Sequence, residues 1–156
     1  MNELSETKEF LTFRLGGETI ALEAAQVREV LKYTHITAVP RMPEYLPGLI
    51  NVRGNVIAVV DLGLVLNINT VEDQKKNWLV ITDGSLKDEA MQVGIPADAV
   101  RDVIRLDTED IGPPPEIGIN IDTEFIQGAA KQDDAFLIII NVDKVIAAVY
   151  ADFCQE

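Results

Sequence analysis

The chain has 156 residues, 47% of them apolar, and a formal net charge of −13. The length predicts one domain, residues 1–156, and the apolar content is enough for a folded core. A surface this acidic repels phosphate backbones and anionic lipid headgroups, so we expect no binding to nucleic acid or to membrane surfaces. The longest apolar stretches, such as residues 56–60 and 135–140, are too short to span a bilayer, so we also expect no direct insertion into a membrane.

The chain begins with a predicted β-hairpin. Apolar and polar residues alternate over residues 10–15 and resume over residues 19–23, with Gly16 and Gly17 between them. Such alternation around a glycine turn is typical of two antiparallel strands. Five later runs, short and rich in β-branched residues, are also predicted to be strands: residues 49–52, 56–60, 78–82, 91–95 and 136–140.

The remaining predicted elements are one turn with its following strand and two short helices. Residues 24–33 fit a helical and a strand periodicity equally well, and the all-β context favours a tight turn at 24–26 followed by a strand. Asp61 and Asn141 each precede a short apolar segment, residues 62–66 and 142–146. Because Asp and Asn are good N-caps, both segments are predicted to be short helices and the two side chains to be their structural caps.

An internal repeat divides the sequence. Residues 27–32 (VREVLK) reappear 73 positions later as residues 100–105 (VRDVIR). Gly48 then matches Gly128, and Asp61 matches Asn141, both 80 positions later, which implies seven extra residues within 116–124. The acidity is uneven, because residues 1–70 carry a balance of −2 and residues 71–156 a balance of −11.

The repeat predicts an all-β fold of two related subdomains, about residues 10–70 and 76–150. Five short strands in each half suit a small closed barrel, which leaves few exposed sheet edges. Residues 27–32 and 100–105 would then meet near the junction of the barrels. The groove there is a candidate binding site, although the valines of both segments could equally well fill the barrel cores.

Classical catalytic machinery is missing from the sequence. Cys154 is the sole cysteine and His35 the sole histidine, which rules out a cysteine cluster and a multi-histidine metal site. Neither Ser5 nor Ser85 lies in a nucleophile elbow, and no glycine-rich phosphate loop is present. The N-terminus also lacks the pattern of a signal peptide. We therefore expect a cytoplasmic protein that is not an enzyme and uses no metal or cofactor.

One long motif resembles the CheW family of chemotaxis coupling proteins. Residues 43–62 (PEYLPGLINVRGNVIAVVDL) are very similar to the central motif of that family. Residues 93–100 (VGIPADAV) resemble its second signature, and residues 112–116 and 122–128 (GPPPE and DTEFIQG) fit the stretch that follows. The resemblance extends from about residue 10 to about residue 149.

This resemblance implies two SH3-like five-stranded barrels around a shared apolar centre and a signalling adaptor without turnover. Proteins of the family link the cytoplasmic tips of methyl-accepting chemotaxis proteins to the histidine kinase CheA, whose CheW-like regulatory domain they bind. We therefore expect recruitment to receptor arrays at the inner face of the membrane. A regulatory domain that binds a small ligand between the barrels is the alternative.

The resemblance also implies roles for particular residues. The positions of Val27, Glu29, Gly48 and Val103 are associated with receptor binding in the family. Structural readings compete with these roles, because Glu29 could be a solvated charge at a strand edge and Gly48 could serve backbone geometry alone.

Arg53 matches a family arginine thought to couple receptor to kinase. It could pair within the chain, with Glu29 or Asp61, or project from its turn toward a partner, and we favour projection because turn tips are exposed. Gly63 stands where many members have arginine, and Ala58 where many have proline. A flagellar system, a pilus-motility system and another chemosensory pathway are therefore all open alternatives.

Overall fold

The computed structural model describes residues 6–33, 36–66, 77–113, 123–132 and 135–154. Within these ranges the chain forms two five-stranded sheets and two α-helices, α1 (Leu62–Leu66) and α2 (Val142–Cys154). The strands are β1 (Thr7–Leu15), β2 (Glu18–Glu23), β3 (Val27–Lys32), β4 (Gly48–Val52), β5 (Asn55–Val59), β6 (Trp78–Leu86), β7 (Glu89–Ala97), β8 (Ala99–Asp107), β9 (Ile126–Gln132) and β10 (Ala135–Ile140). The predicted all-β class with two five-stranded units is confirmed. The turn at Ala24–Gln26 and the strand after it are also confirmed.

The two sheets share one topology. Sheet I has the strand order β8-β1-β2-β10-β9 and sheet II the order β3-β6-β7-β5-β4. In each sheet the third of the four neighbouring pairs in this order, β2 with β10 or β7 with β5, is parallel, and the other three are antiparallel. Every strand of one sheet therefore has a counterpart at the same place in the other, so the repeat extends through all ten strands.

Each sheet draws strands from both halves of the sequence. The hairpin β1–β2 lies in sheet I with β8, β9 and β10, and the hairpin β6–β7 lies in sheet II with β3, β4 and β5. The expectation that residues 10–70 and 76–150 each form a barrel of their own is therefore corrected. A repeat shows which segments are equivalent, but two equivalent hairpins can be exchanged without altering the hydrophobic pattern that the sequence displays.

Backbone bonds join the two ends of each sheet. Thr37, which follows β3, exchanges two hydrogen bonds of 2.8 Å with Leu49 of β4. Gly112, which follows β8, exchanges two bonds of 2.9 Å with Ala129 of β9. Because β3 and β4 end sheet II and β8 and β9 end sheet I, both sheets close on themselves and protect their edges.

The core has three parts. One cluster, which includes Ile57, Leu79 and Ile81, forms the interior of the closed sheet II. A smaller cluster, which includes Phe10 and Ile139, forms the interior of the closed sheet I. The largest cluster contains buried residues of both sheets and of both helices, so it is the shared apolar centre between the two units. Apolar burial of this kind stabilises the arrangement by roughly 25 cal/mol per Å².

Candidate functional site

Arg53 and Glu29 form an ion pair at the end of sheet II. The Nη1 atom of Arg53 lies 2.8 Å from Oε2 of Glu29. The Arg53 side chain is 74% exposed, whereas that of Glu29 is only 19% exposed. Glu29 is therefore not a freely solvated charge, and its carboxylate is held in place by a guanidinium that still faces water.

The turn between β4 and β5 positions Arg53. Val52 pairs with Asn55, so Arg53 and Gly54 alone form the loop, and both have positive φ angles, 52° and 87°. Two successive positive φ angles characterise the type I′ hairpin turn. The Asn51 side chain accepts a bond from the Gly54 amide at 2.9 Å and so supports this geometry.

Asp61, the other acidic partner considered for Arg53, caps α1. Its Oδ1 atom accepts a hydrogen bond from the Leu64 amide at 3.3 Å. The equivalent Asn141 caps α2 by accepting from the Lys144 amide at 3.1 Å. The predicted capping roles are thus observed in the structure. The Asp61 carboxylate also lies near Tyr33, where burial first and this negative charge second raise the pKa of the phenol.

Val27 and Val103 lie in equivalent strands but in different environments. Val27, at the start of β3, is partly buried and packs against the central cluster. Its counterpart Val100, at the start of β8, packs against the same cluster, so the two repeated segments do converge at the junction of the sheets. Val103 lies further along β8 and is 55% exposed.

Gly48 is buried and serves backbone geometry. A Cβ atom at this position would lie 2.3 Å from the carbonyl oxygen of Thr37, the residue whose bonds close sheet II. The equivalent Gly128 is similarly confined, because a Cβ atom there would lie 2.7 Å from Cγ2 of Ile111. Both glycines permit the end strand of a sheet to approach the segment that closes it.

The structure brings Val27, Glu29, Gly48 and Arg53 into sheet II and places Val103 in sheet I. Three exposed apolar residues were not singled out from the sequence: Val56 (65% exposed), Leu64 (51% exposed) and Phe136 (47% exposed). Val56 and Phe136 lie 80 positions apart near the starts of β5 and β10, so the offset of the repeat could have marked them as a pair. Beside Val56 is an open cleft of about 530 Å³, lined by Arg28, Asn55, Val56, Asp83, Ala90, Met91, Gln92 and Tyr150.

Paired sheets of identical topology, each closed at its ends, define a two-subdomain β-domain of the CheW type. The family model for the CheW-like domain matches residues 9–149. The chain therefore belongs to the CheW-like domain family.

Named relatives agree with this assignment. The chemotaxis protein CheW of Bacillus subtilis is 30% identical over 145 residues, which cover 92% of this chain and 90% of the relative. CheW of Klebsiella aerogenes is 27% identical, with 90% of this chain and 82% of the relative covered. Protein FrzA of Myxococcus xanthus is 28% identical, with coverage of 89% and 85%.

A solved structure has the same fold. The scaffolding protein TtCheW from Thermoanaerobacter tengcongensis superposes with a TM-score of 0.74 at 35% sequence identity. The match covers 90% of this chain and 88% of that one. Among the described residues, no helix is long and apolar enough to span a membrane.

Proposed function

We propose that this protein is a signalling adaptor that couples methyl-accepting chemoreceptors to the histidine kinase CheA. The observation that carries the proposal is the CheW-like match over residues 9–149, since it covers both sheets and all the candidate site residues. In this proposal the protein acts in the cytoplasm, at receptor arrays on the inner face of the membrane, and has no catalytic turnover.

The receptor would contact the two repeated strands. Val27 and Glu29 lie in β3 and Val103 lies in β8, and the starts of both strands pack on the central cluster. A receptor tip is a helical hairpin, and partly apolar surfaces between structural units suit a helix. Gly48 contributes indirectly, because its lack of a side chain lets β4 close sheet II beside β3.

The kinase would contact an exposed apolar strand end. Docking of its CheW-like regulatory domain onto a domain of the same fold would bury side chains such as Val56 or Phe136. Interface cores are depleted in charge, so the net charge of −13 does not oppose such a contact. We expect the affinity for the kinase domain to change little as salt rises from low to physiological concentration, and a collapse would show that electrostatics dominates.

Pairwise binding tests the proposal. The purified protein is titrated with the regulatory domain of the CheA-type kinase from its own organism and, separately, with a soluble receptor-tip fragment. Saturable binding of both supports the adaptor function, and binding of neither contradicts it. We also expect no nucleotide binding and no hydrolase or transferase activity. Tight binding of ATP by calorimetry would contradict the first expectation, and hydrolysis of ATP would contradict the second.

The alternative of a small-ligand regulator gives a different result. A ligand sensor would show a thermal shift with a cellular metabolite. An open cleft of about 800 Å³ is lined by Thr7, Lys8, Glu9, Glu23, Ala24, Ala25 and Arg105. Its charges already pair with one another, Lys8 with Glu23 at 3.8 Å and Arg105 with Glu9 at 3.5 Å, so this cleft gives no specific support to the alternative.

A further inference from the structure

Helix α2 connects the two sheets. It follows β10 of sheet I directly in the chain, yet it packs on β6 and β7 of sheet II. The Asp143 Oδ1 atom accepts a hydrogen bond of 3.0 Å from the Ser85 amide in β6. About two helical turns further on, the Tyr150 hydroxyl donates a hydrogen bond of 3.4 Å to the Gln92 carbonyl oxygen in β7. The helix side chains buried in the central cluster are Val142, Val145, Ile146 and Val149.

The repeat is broken where α2 docks. The register of the sheets shows which residues of the two hairpins correspond. Val100 of β8 pairs with Phe13, and its counterpart Val27 of β3 pairs with Thr82, so two residues further along Leu15 of β1 is equivalent to Gly84 of β6. Leu15 is fully buried in the central cluster, so the two sheets fill this position in opposite ways.

Gly84 leaves room for the helix. A Cβ atom at Gly84 would lie 2.5 Å from Cδ1 of Ile146 and 2.8 Å from Oδ1 of Asp143. The Asp143 atom that a Cβ would displace is the one that accepts the Ser85 bond. Steric room at Gly84 and the hydrogen bond at Ser85 therefore fix the same point of the helix on β6.

We propose that the docking of α2 on Gly84 and Ser85 sets the relative position of the two sheets and so positions the receptor-binding strands. The inference rests on the proposed function, in which the receptor touches β3 of sheet II and β8 of sheet I together. The affinity of a partner that contacts both sheets depends on the distance between the sheets. The affinity of a partner that docks on the strand end of one sheet does not depend on that distance.

Gly84→Ala and Asp143→Ala test the inference, with Gly112→Ala as a matched control because a Cβ atom at Gly112 meets nothing within 4 Å. We expect both test variants to bind the receptor-tip fragment at least tenfold more weakly and the kinase regulatory domain within twofold of the parent. Asp143→Asn keeps an oxygen acceptor for the Ser85 amide and is expected to restore most of the receptor affinity.

A direct measurement of sheet spacing accompanies the titrations. Spin labels are placed by Lys32→Cys in β3 and Arg101→Cys in β8, both exposed positions, in a Cys154→Ser background. We expect one narrow distance distribution for the parent chain and a shifted or broadened one for both test variants. This readout needs no partner, so it judges the inference even if the parent binds neither receptor nor kinase and the proposed function fails.

An unchanged distance distribution in a folded Asp143→Ala variant would overturn the inference. Equal losses of receptor and kinase binding would also overturn it, because they indicate general damage to the fold. Circular dichroism of each variant identifies unfolding. If Gly84→Ala does not fold, Asp143→Ala, which loses one hydrogen bond at an exposed side chain, decides the result.

Discussion

The Nη1 atom of Arg53 and the Oε2 atom of Glu29, 2.8 Å apart, join strands at opposite ends of sheet II. Glu29 lies in β3 and Arg53 in the turn that follows β4. The ion pair therefore spans the place where the sheet closes, while most of the guanidinium stays in water. Pairing with Glu29, one of the two alternatives from the sequence, is thus observed in an exposed side chain, and the contact of Arg53 with a partner stays a prediction.

Two substitutions of Arg53 should separate the contribution of its ion pair to stability from the cost of its positive φ angle. Arg53→Ala removes the ion pair, and exposed pairs contribute about 0.2–1 kcal/mol, so we expect a loss of folding free energy below about 1 kcal/mol. Arg53→Gly loses the same pair but also relieves the positive φ of 52°, which costs about 1 kcal/mol in an L-residue. Urea denaturation should therefore show Arg53→Gly to be more stable than Arg53→Ala.

Signalling should respond differently from stability. Both variants remove the guanidinium, so both should impair receptor control of kinase activity in a reconstituted assay. Normal control in either variant, with stability lowered, would assign Arg53 a structural role only.

Gly48→Ala should be strongly destabilising. The added Cβ would lie 2.3 Å from a backbone oxygen of Thr37, and backbone cannot move aside as a flexible side chain can. We expect a loss of more than about 2 kcal/mol in urea denaturation, as is typical of severe overpacking. Gly54→Ala is the matched control, because it meets nothing within 4 Å and suffers only from its φ of 87°, at a cost of about 1 kcal/mol. Equal effects of the two substitutions would contradict the closing role of Gly48.

Val103→Asp should weaken receptor binding without harm to the fold. Val103 is 55% exposed, and exposed substitutions usually change stability by no more than about 0.5 kcal/mol. Val27→Asp should weaken receptor binding too, but with a clear loss of stability, since Val27 packs against the central cluster and an unpaired carboxylate is penalised there. Calorimetric titration with the receptor-tip fragment and the kinase domain measures both effects. Val56→Asp, at another exposed valine, is expected to leave receptor binding unchanged.

The two helix caps should be of similar strength. Asp61→Ala and Asn141→Ala each remove one side-chain bond to a helix N-terminus, of 3.3 Å and 3.1 Å. A lost cap of this kind costs about 1 kcal/mol, so thermal or urea unfolding should show comparable losses. Asp61→Asn retains a capping oxygen and should be close to the parent. A negligible effect of Asn141→Ala would show that burial alone fixes the start of α2.

The sequence predicted local structure better than long-range pairing. The hairpin at Gly16 and Gly17, the turn before β3 and both caps follow from short-range chemistry that periodicity and turn residues display. The exchange of hairpins between the sheets does not follow from short-range chemistry, because equivalent hairpins have the same hydrophobic pattern. The length of α2 was also missed: residues 142–146 were predicted, whereas the helix continues to Cys154. Ala148, Val149 and Tyr150 pack in or against the central cluster, a long-range contact that the local sequence pattern does not display.

The candidate site was predicted in part. The repeat correctly brought Val27 and the start of β8 to one junction. Glu29, which pairs with Arg53, was one of the two partners within the chain that the sequence suggested for Arg53. The repeat could not show that the backbone of Thr37 leaves no space for a side chain at Gly48, because the contact between these two residues depends on how sheet II closes. The contributions of these residues to binding remain predictions for the titrations described above.

Kinase activity in reconstituted receptor membranes tests the adaptor function most directly. Membranes that contain the chemoreceptor are mixed with the CheA-type kinase, and autophosphorylation is followed with and without this protein, and with and without the receptor's attractant. We predict that the kinase responds to attractant only when the protein is present, and that Val103→Asp abolishes this response. A kinase that responds to attractant equally well in its absence would contradict the account.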